Sequence, residues 1–312
     1  MTRPASYLSL VRTGELPRRA AAARTHLHAR HLCGRLCGVD RTAVPPGSPC
    51  HTGGRAVVAS WGPHHGEEAP LRGSRGSGTV FFSWCNLACE YCQNFELSRL
   101  GEGRETTAAA LSGIFLALQA EGCHNLNLVS PTHVLPQILE ALVSAADAGL
   151  SIPLVWNTGG YESLSSLALL DGVVDIYMPD MKYGDAGPAL SHSHVPDYPA
   201  VNRAAVREMH RQVGDLVLDR GGIAFRGLLV RHLVLPGGLA GSESVFRFLA
   251  GEVSRSTWVN VMAQYRPAYR ARHLPPLDRA PTEEEVDEAR ALARLFGLAL
   301  LEDRSFPRPV VP

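Results

Sequence analysis

The chain has 312 residues, 45% of them apolar, enough for one large domain with an extension or for two domains. Its 30 basic and 30 acidic side chains cancel, so the charge balance points to neither a nucleic-acid nor a membrane surface. The opening MTRPASYLSLVRTGELPRRAAAAR lacks the apolar stretch of a secretory signal and no run of 18 apolar residues exists, so the seven cysteines are expected in a reducing cytoplasm, in metal or redox roles.

Residues 1–32 read as helical, with alanines and arginines following Pro17. Residues 33–77 are rich in Gly, Pro, Cys and His without sustained periodicity, and read as an irregular segment that metal can staple. From Gly78 short apolar runs alternate with helical patterns. The runs are 79–84, 125–130, 153–158, 173–180, 228–236 and 258–265. A first helix starts near Thr106, a second (VLPQILEALVSAADAG) ends at a glycine, and YESLSSLALLDG is short. PAVNRAAVREMHRQVG has Pro199 near its start and Gly214 near its end, and SESVFRFLAGEV follows the fifth run. TEEEVDEARALARLFG carries acids in its first turn and Gly297 at its C-terminal end. Strand–helix alternation predicts an α/β fold with right-handed connections. The pattern alone leaves open whether the sheet closes into a barrel.

Ligands of such folds sit beyond the carboxyl ends of the strands. Polar residues crowd those ends: CNLACEYCQN (85–94), SPTH (130–133), NTGGY (157–161), PDMKY (179–183), PGG (236–238) and QYRP (264–267). Cys85, Cys89 and Cys92 are spaced C-x3-C-x2-C with no fourth cysteine nearby. Four-iron clusters usually take four thiolates. Three would leave one iron open, as a catalytic zinc keeps one position free. A closed zinc site needs a fourth ligand, and His64 and His65 lie about 20 residues upstream. Packed structural thiols are the plain alternative, and Cys123 beside His124 reads as such a thiol. The single lysine, Lys182, is either a compositional remnant in an arginine-using chain or a place that demands an ammonium.

GSGTVFFSWCNLACEYCQNFELS, NLNLVSPTHVLPQILEAL, VDIYMPDMKY, DYPAVNRAAVREMHRQVG and GLLVRHLVLPGG together resemble the radical SAM superfamily. Within it they resemble the uncharacterised homologues of pyruvate formate-lyase activating enzyme, over roughly residues 30–270. The resemblance implies a partial (β/α)6 TIM-like barrel at 78–270, between a helical and Cys/His-rich extension (1–77) and a C-terminal helix and tail (271–312). It implies a [4Fe-4S] cluster on Cys85, Cys89 and Cys92, with S-adenosyl-L-methionine chelating the open iron. Reductive cleavage would give methionine and a 5′-deoxyadenosyl radical that abstracts hydrogen from a substrate, which for activating enzymes is a glycine of a partner glycyl-radical enzyme. Flavodoxin or ferredoxin is the implied electron donor.

Position by position, the resemblance sets Tyr91 against the adenine and Asn94 in a Cys-x-Asn. It sets Asn157 and Thr158 near the cosubstrate, and Asp180 with Lys182 in an Asp-x-Lys that would hold the methionine carboxylate. The plain alternatives are a packed tyrosine, an asparagine capping the next turn and a surface ion pair. Where many relatives carry Gly-Gly-Glu, this chain reads Ser130-Pro131-Thr132-His133. The amine would then fall to Thr132, to backbone carbonyls or to His133, which is also the acid–base candidate. Relatives tend to carry four N-terminal cysteines. This chain keeps Cys33, Cys37 and Cys50, has Arg30 near the place of the first, and either offers His28, His31 or His51 to complete a zinc or other metal set or has lost the metal and keeps three ordinary thiols. A small-molecule-modifying enzyme and a non-catalytic iron–sulfur carrier are the competing functions.

Overall fold

The computed structural model describes residues 4–28, 32–43 and 48–302. The chain opens with α1 (Tyr7–Arg12), α2 (Glu15–Thr25), β1 (Ala56–His64), α3 (Ala69–Arg72), β2 (Ser77–Phe82), α4 (Phe95–Ser98) and β3 (Arg104–Thr106). It continues through α5 (Ala108–Ala120), β4 (Leu126–Val129), α6 (Leu135–Asp147), β5 (Leu154–Thr158), α7 (Leu164–Leu170), β6 (Ile176–Pro179), α8 (Ala186–Ser193) and α9 (Tyr198–Val213). It closes with β7 (Val217–Leu218), β8 (Ala224–Leu233), α10 (Ser242–Phe248), β9 (Trp258–Met262), α11 (Glu283–Leu295) and β10 (Ala299–Leu300).

Each of the six apolar runs becomes a strand. β2, β4, β5, β6, β8 and β9 pair in that order, all parallel. The order is that of a (β/α) barrel, but the path ends at β10 on one side and β3 on the other and does not close. The result is the parallel-dominated α/β fold that the alternation predicts. Helix ends follow their chemistry. The Thr107 hydroxyl accepts from Ala110 N–H at the head of α5, Pro199 sits in the first turn of α9, and Thr282 and Glu285 close a capping box on α11.

The two sheet faces differ. Trp156, Tyr177, Leu228 and Val230 pack with Phe115, Ile138, Leu142 and Met209 of α5, α6 and α9. Alternation sends Val155, Ile176, Met178 and Leu229 to the opposite face, where Leu71 of the short α3 packs among them. Further along the same face, at the carboxyl ends, the matching positions are Asn157, Asp180 and Arg231. The inner face is thus apolar where α3 fills it and polar beyond.

Segment 33–77 holds more order than its composition suggests. β1 pairs antiparallel with β2 over 58–64, and β3 reaches only Ala56–Val58 on its far side. Gly62-Pro63 lies where β1 has one neighbour, and there a missing ladder N–H is tolerated. At the other end β10 adds a two-residue parallel strand on β9. Among the described residues no helix is long and apolar enough to cross a membrane.

Candidate metal centre and strand-end cavity

The cysteine loop begins where β2 stops. Trp84 holds a left-handed φ of 67°. Its N–H donates to Leu97 O at 2.9 Å, and its ring lies 4.6 Å from His51. A Cβ on Gly101 would fall 2.1 Å from the indole, so glycine is required beneath it. The loop is tied down at several points. Asn86 Nδ2 donates to Tyr161 O at 2.7 Å, Glu90 N–H donates to His192 O at 2.9 Å, and Arg270 N–H donates to Glu90 O at 3.0 Å.

Each of the three sulfurs has a hydrogen-bonding neighbour. Leu87 N–H lies 3.4 Å from Cys85 Sγ, the Ser193 hydroxyl 3.0 Å from Cys89 Sγ, and the Ser98 hydroxyl 3.1 Å from Cys92 Sγ. Burial, with Cys89 close by, pushes the Cys85 thiol up to about 12, and burial raises Cys89 as well. As bare thiols Cys85 and Cys89 resist ionisation, so a bound metal is what would make them thiolates.

The three cysteines line one cavity with Asn94, Ser130, Asn157, Thr158, Asp180, Lys182 and Arg231. Eight residues singled out in the sequence lie on that wall: Cys85, Cys89, Cys92, Asn94, Asn157, Thr158, Asp180 and Lys182. Lys182 Nζ sits 2.6 Å from Asp180 Oδ2, with side chains 19% and 23% exposed, so the pair is no open surface bridge. Burial alone would lower the lysine's pKa. Asp180, and beyond it Cys89 and Tyr198, outweigh burial and hold the ammonium above its ordinary value.

Thr132, His133 and Tyr91 stand behind this wall. The Thr132 hydroxyl lies 2.5 Å from Glu162 Oε1, as does that of Thr158. Burial raises Glu162, while hydrogen bonds from Thr132, Thr158 and Trp156 oppose that shift. His133 Nε2 donates to Ser83 O at 2.8 Å, and burial pushes the imidazole down to about 4, so it is neutral. Tyr91 is buried with its ring edge-on to Tyr183 and Tyr265, at centroid distances of 6.3 and 5.9 Å.

Sequence reasoning missed Arg231. Its Nε lies 2.6 Å from Glu68 Oε1, Glu67 pairs with its Nη2, and its Nη1 reaches Asn157 Oδ1 at 3.3 Å. Asn260 Nδ2 adds 2.8 Å to Glu68. Burial would raise Glu68, but Arg231 and Asn260 hold its carboxylate below the ordinary range. The available signal was an arginine inside the apolar run LLVRHLVLP, since a buried guanidinium needs a carboxylate.

Cys33, Cys37 and Cys50 gather around buried Arg41. Its Nη2 lies 3.4 Å from Cys37 Sγ. Burial pushes Cys33 up to about 12. Burial would also raise Cys50, but hydrogen bonds with Ser48 and Thr52 bring it below the ordinary thiol value. Of the histidines weighed as a fourth ligand, His31 lies outside the described residues, His51 stacks on Trp84, and His28 pairs with Asp40. Among the described residues no group of three or more His, Cys, Asp or Glu is set to hold a single metal ion. A cluster occupies more room than one ion, and the loop trio opens onto a cavity whose lining includes no fourth thiol and no imidazole. That donor set fits an iron–sulfur cluster with one corner left over.

No family model matches the chain. Among solved structures it is similar to a radical SAM methyltransferase from Sphaerobacter thermophilus, with TM-score 0.47, 15% identity and coverage of 71% of this chain and 64% of that one. It is similar as well to Streptococcus suis SuiB bound to precursor peptide SuiA, with TM-score 0.45, 13% identity and coverage of 70% and 46%. The chain spans less than two thirds of either structure, and likeness at that depth bears on neither activity nor ligand. The chain is 30% identical over 249 residues to the uncharacterized protein MJ0674 of Methanocaldococcus jannaschii, covering 77% of this chain and 68% of that protein. By that identity and coverage the chain belongs to the MJ0674 family.

Proposed function

We propose that the chain is a radical S-adenosylmethionine enzyme with a [4Fe-4S] cluster held by Cys85, Cys89 and Cys92. The observation that carries this reading is the loop trio facing one strand-end cavity with no fourth thiol and no imidazole on its wall. When bound and reduced, the cluster supplies one electron that splits the carbon–sulfur bond of S-adenosylmethionine into methionine and a 5′-deoxyadenosyl radical.

The chain's own residues orient and enclose. Lys182 is a compact charge suited to the methionine carboxylate, and Asp180 fixes its ammonium. Asn157, steadied by Arg231, and Thr158, tied to Glu162, offer amide and hydroxyl groups to the cosubstrate. Thr132 supports Thr158 from behind, 3.0 Å away, and the neutral His133 braces Ser83 at the mouth of the loop. Tyr91, set against the adenine by resemblance, is packed on Tyr183 and Tyr265 and stiffens the loop.

The hydrogen donor is a glycine in a partner glycyl-radical enzyme, by resemblance to the activating-enzyme branch, or a small molecule. The electron donor is of flavodoxin or ferredoxin type. The test is anaerobic reconstitution of the full chain followed by reduction with dithionite in the presence of S-adenosylmethionine. About four irons per chain and release of 5′-deoxyadenosine are expected. Full iron with no cleavage leaves an iron–sulfur carrier instead.

A further inference from the structure

The hydroxyls around the loop trio do more than fill space. Ser193 is fully buried at the last position of α8, and its oxygen lies 3.0 Å from Cys89 Sγ and 2.7 Å from the Tyr183 hydroxyl. Ser98 ends α4 with its oxygen 3.1 Å from Cys92 Sγ. Both are held by their backbones. Ser98 N–H donates to Asn94 O at 2.9 Å. α8 is clasped to the cysteine loop on both sides of Ser193, by Glu90 N–H on His192 O and by His194 Nε2 at 2.7 Å from Glu90 Oε1.

The polarity of these bonds follows from the ligand set, and so rests on the cluster reading above. A ligating cysteine is a thiolate, which accepts and does not donate. Ser98 and Ser193 must therefore spend their one proton on sulfur. The Ser193 oxygen then accepts from Tyr183, which makes an O–H···O–H···S relay. Hydrogen bonds to the sulfurs are among the levers that set a cluster's potential. They favour the reduced state, whose sulfurs carry more negative charge.

We propose that Ser193, backed by Tyr183, and Ser98 are positioning residues that raise the reduction potential of the cluster by donating to Cys89 and Cys92. They act through the cysteines and need touch neither cosubstrate nor substrate.

The experiment is an EPR-monitored redox titration of the reconstituted full chain without S-adenosylmethionine, with iron and sulfide counted in every sample. Ser193→Ala and Ser98→Ala are expected to titrate at lower potentials than wild type at full iron content, with Tyr183→Phe shifting the same way by less. Threonine keeps the hydroxyl at this half-buried position, so Ser98→Thr is expected near the wild-type potential. Wild-type potentials in both alanine variants overturn the proposal, as does Ser98→Thr falling as far as Ser98→Ala. Should Ser193→Ala lose iron, the Ser98 pair decides alone. A wild-type chain that takes up no iron overturns the cluster reading itself, and that result is in hand before any titration.

Discussion

Cys85, Cys89 and Cys92 fall within eight residues of one loop, whereas Cys33, Cys37 and Cys50 spread over eighteen. Both trios lie beside an arginine, buried at Arg41 and part-buried at Arg231. Arg231, next to the loop trio, is matched by Glu67 and Glu68, while Arg41, inside the N-terminal trio, makes no ion pair with a carboxylate among the described residues. The loop sulfurs open onto a cavity with Lys182 on its wall. In the N-terminal trio, Cys33 and Cys50 are buried among packed chain. Counting cysteines does not separate the two groups. The spacing and the open volume do.

The contrast breaks most decisively at the ligands. Any one of Cys85→Ser, Cys89→Ser or Cys92→Ser is expected to abolish both iron retention and cleavage of S-adenosylmethionine. The triple replacement of Cys33, Cys37 and Cys50 by serine is expected to leave the loop's iron in place. Equal loss from both groups, read by iron and sulfide analysis, removes the distinction. Next come the arginines. Glu68→Gln removes the two-point pair with Arg231 while Glu67 remains, and is expected to cost about 1–3 kcal/mol in urea unfolding. Glu243→Gln, which breaks the exposed pair with Arg247, is expected to cost under about 1 kcal/mol.

Acid should test the packing behind the cavity. His133 and His232 are each pushed by burial to about 4 from an ordinary 6.5. Between those values the unfolded chain binds protons that the fold refuses. Their contribution is therefore complete above pH 6.5 and lost as pH falls toward 4, by roughly 3 kcal/mol for each histidine. His232→Gln is expected to flatten that slope in pH-dependent denaturant melts, and an unchanged slope counts against the burial argument. A smaller effect belongs to Lys182. Lys182→Ala is expected to weaken cosubstrate affinity by about 10-fold, worth about 1.4 kcal/mol, and Lys182→Arg is not expected to restore it, because a planar fork replaces a point charge. The cluster's spectral change on titration with S-adenosylmethionine reads both variants.

The six central strands were legible because each is a short apolar run bounded by turn residues, and the helices because caps and glycines mark their ends. β1 was hidden by Gly62-Pro63. α8 was hidden because AGPALSHS carries glycine and proline and shows no apolar stripe. Most of the cavity wall was legible from strand ends. The partners that hold it were not. Glu68 meets Arg231 across 163 positions, and Ser193 meets Cys89 across 104. No local pattern announces contacts at such separations, which only the winding of the sheet creates. The same limit applies to Tyr91, whose ring is enclosed by Tyr183 and Tyr265 from distant elements.

Leu71 gives the inner face a floor made from the chain's own N-terminal third. A molecule bound against the loop thiols would meet Asn157, Asp180 and Arg231 first, with the apolar floor of Leu71, Val155, Met178 and Leu229 behind them. Trimming the chain to its strand–helix repeats would do more than shed an appendage. It would uncover Val155, Ile176, Met178 and Leu229 and strip Arg231 of both carboxylates.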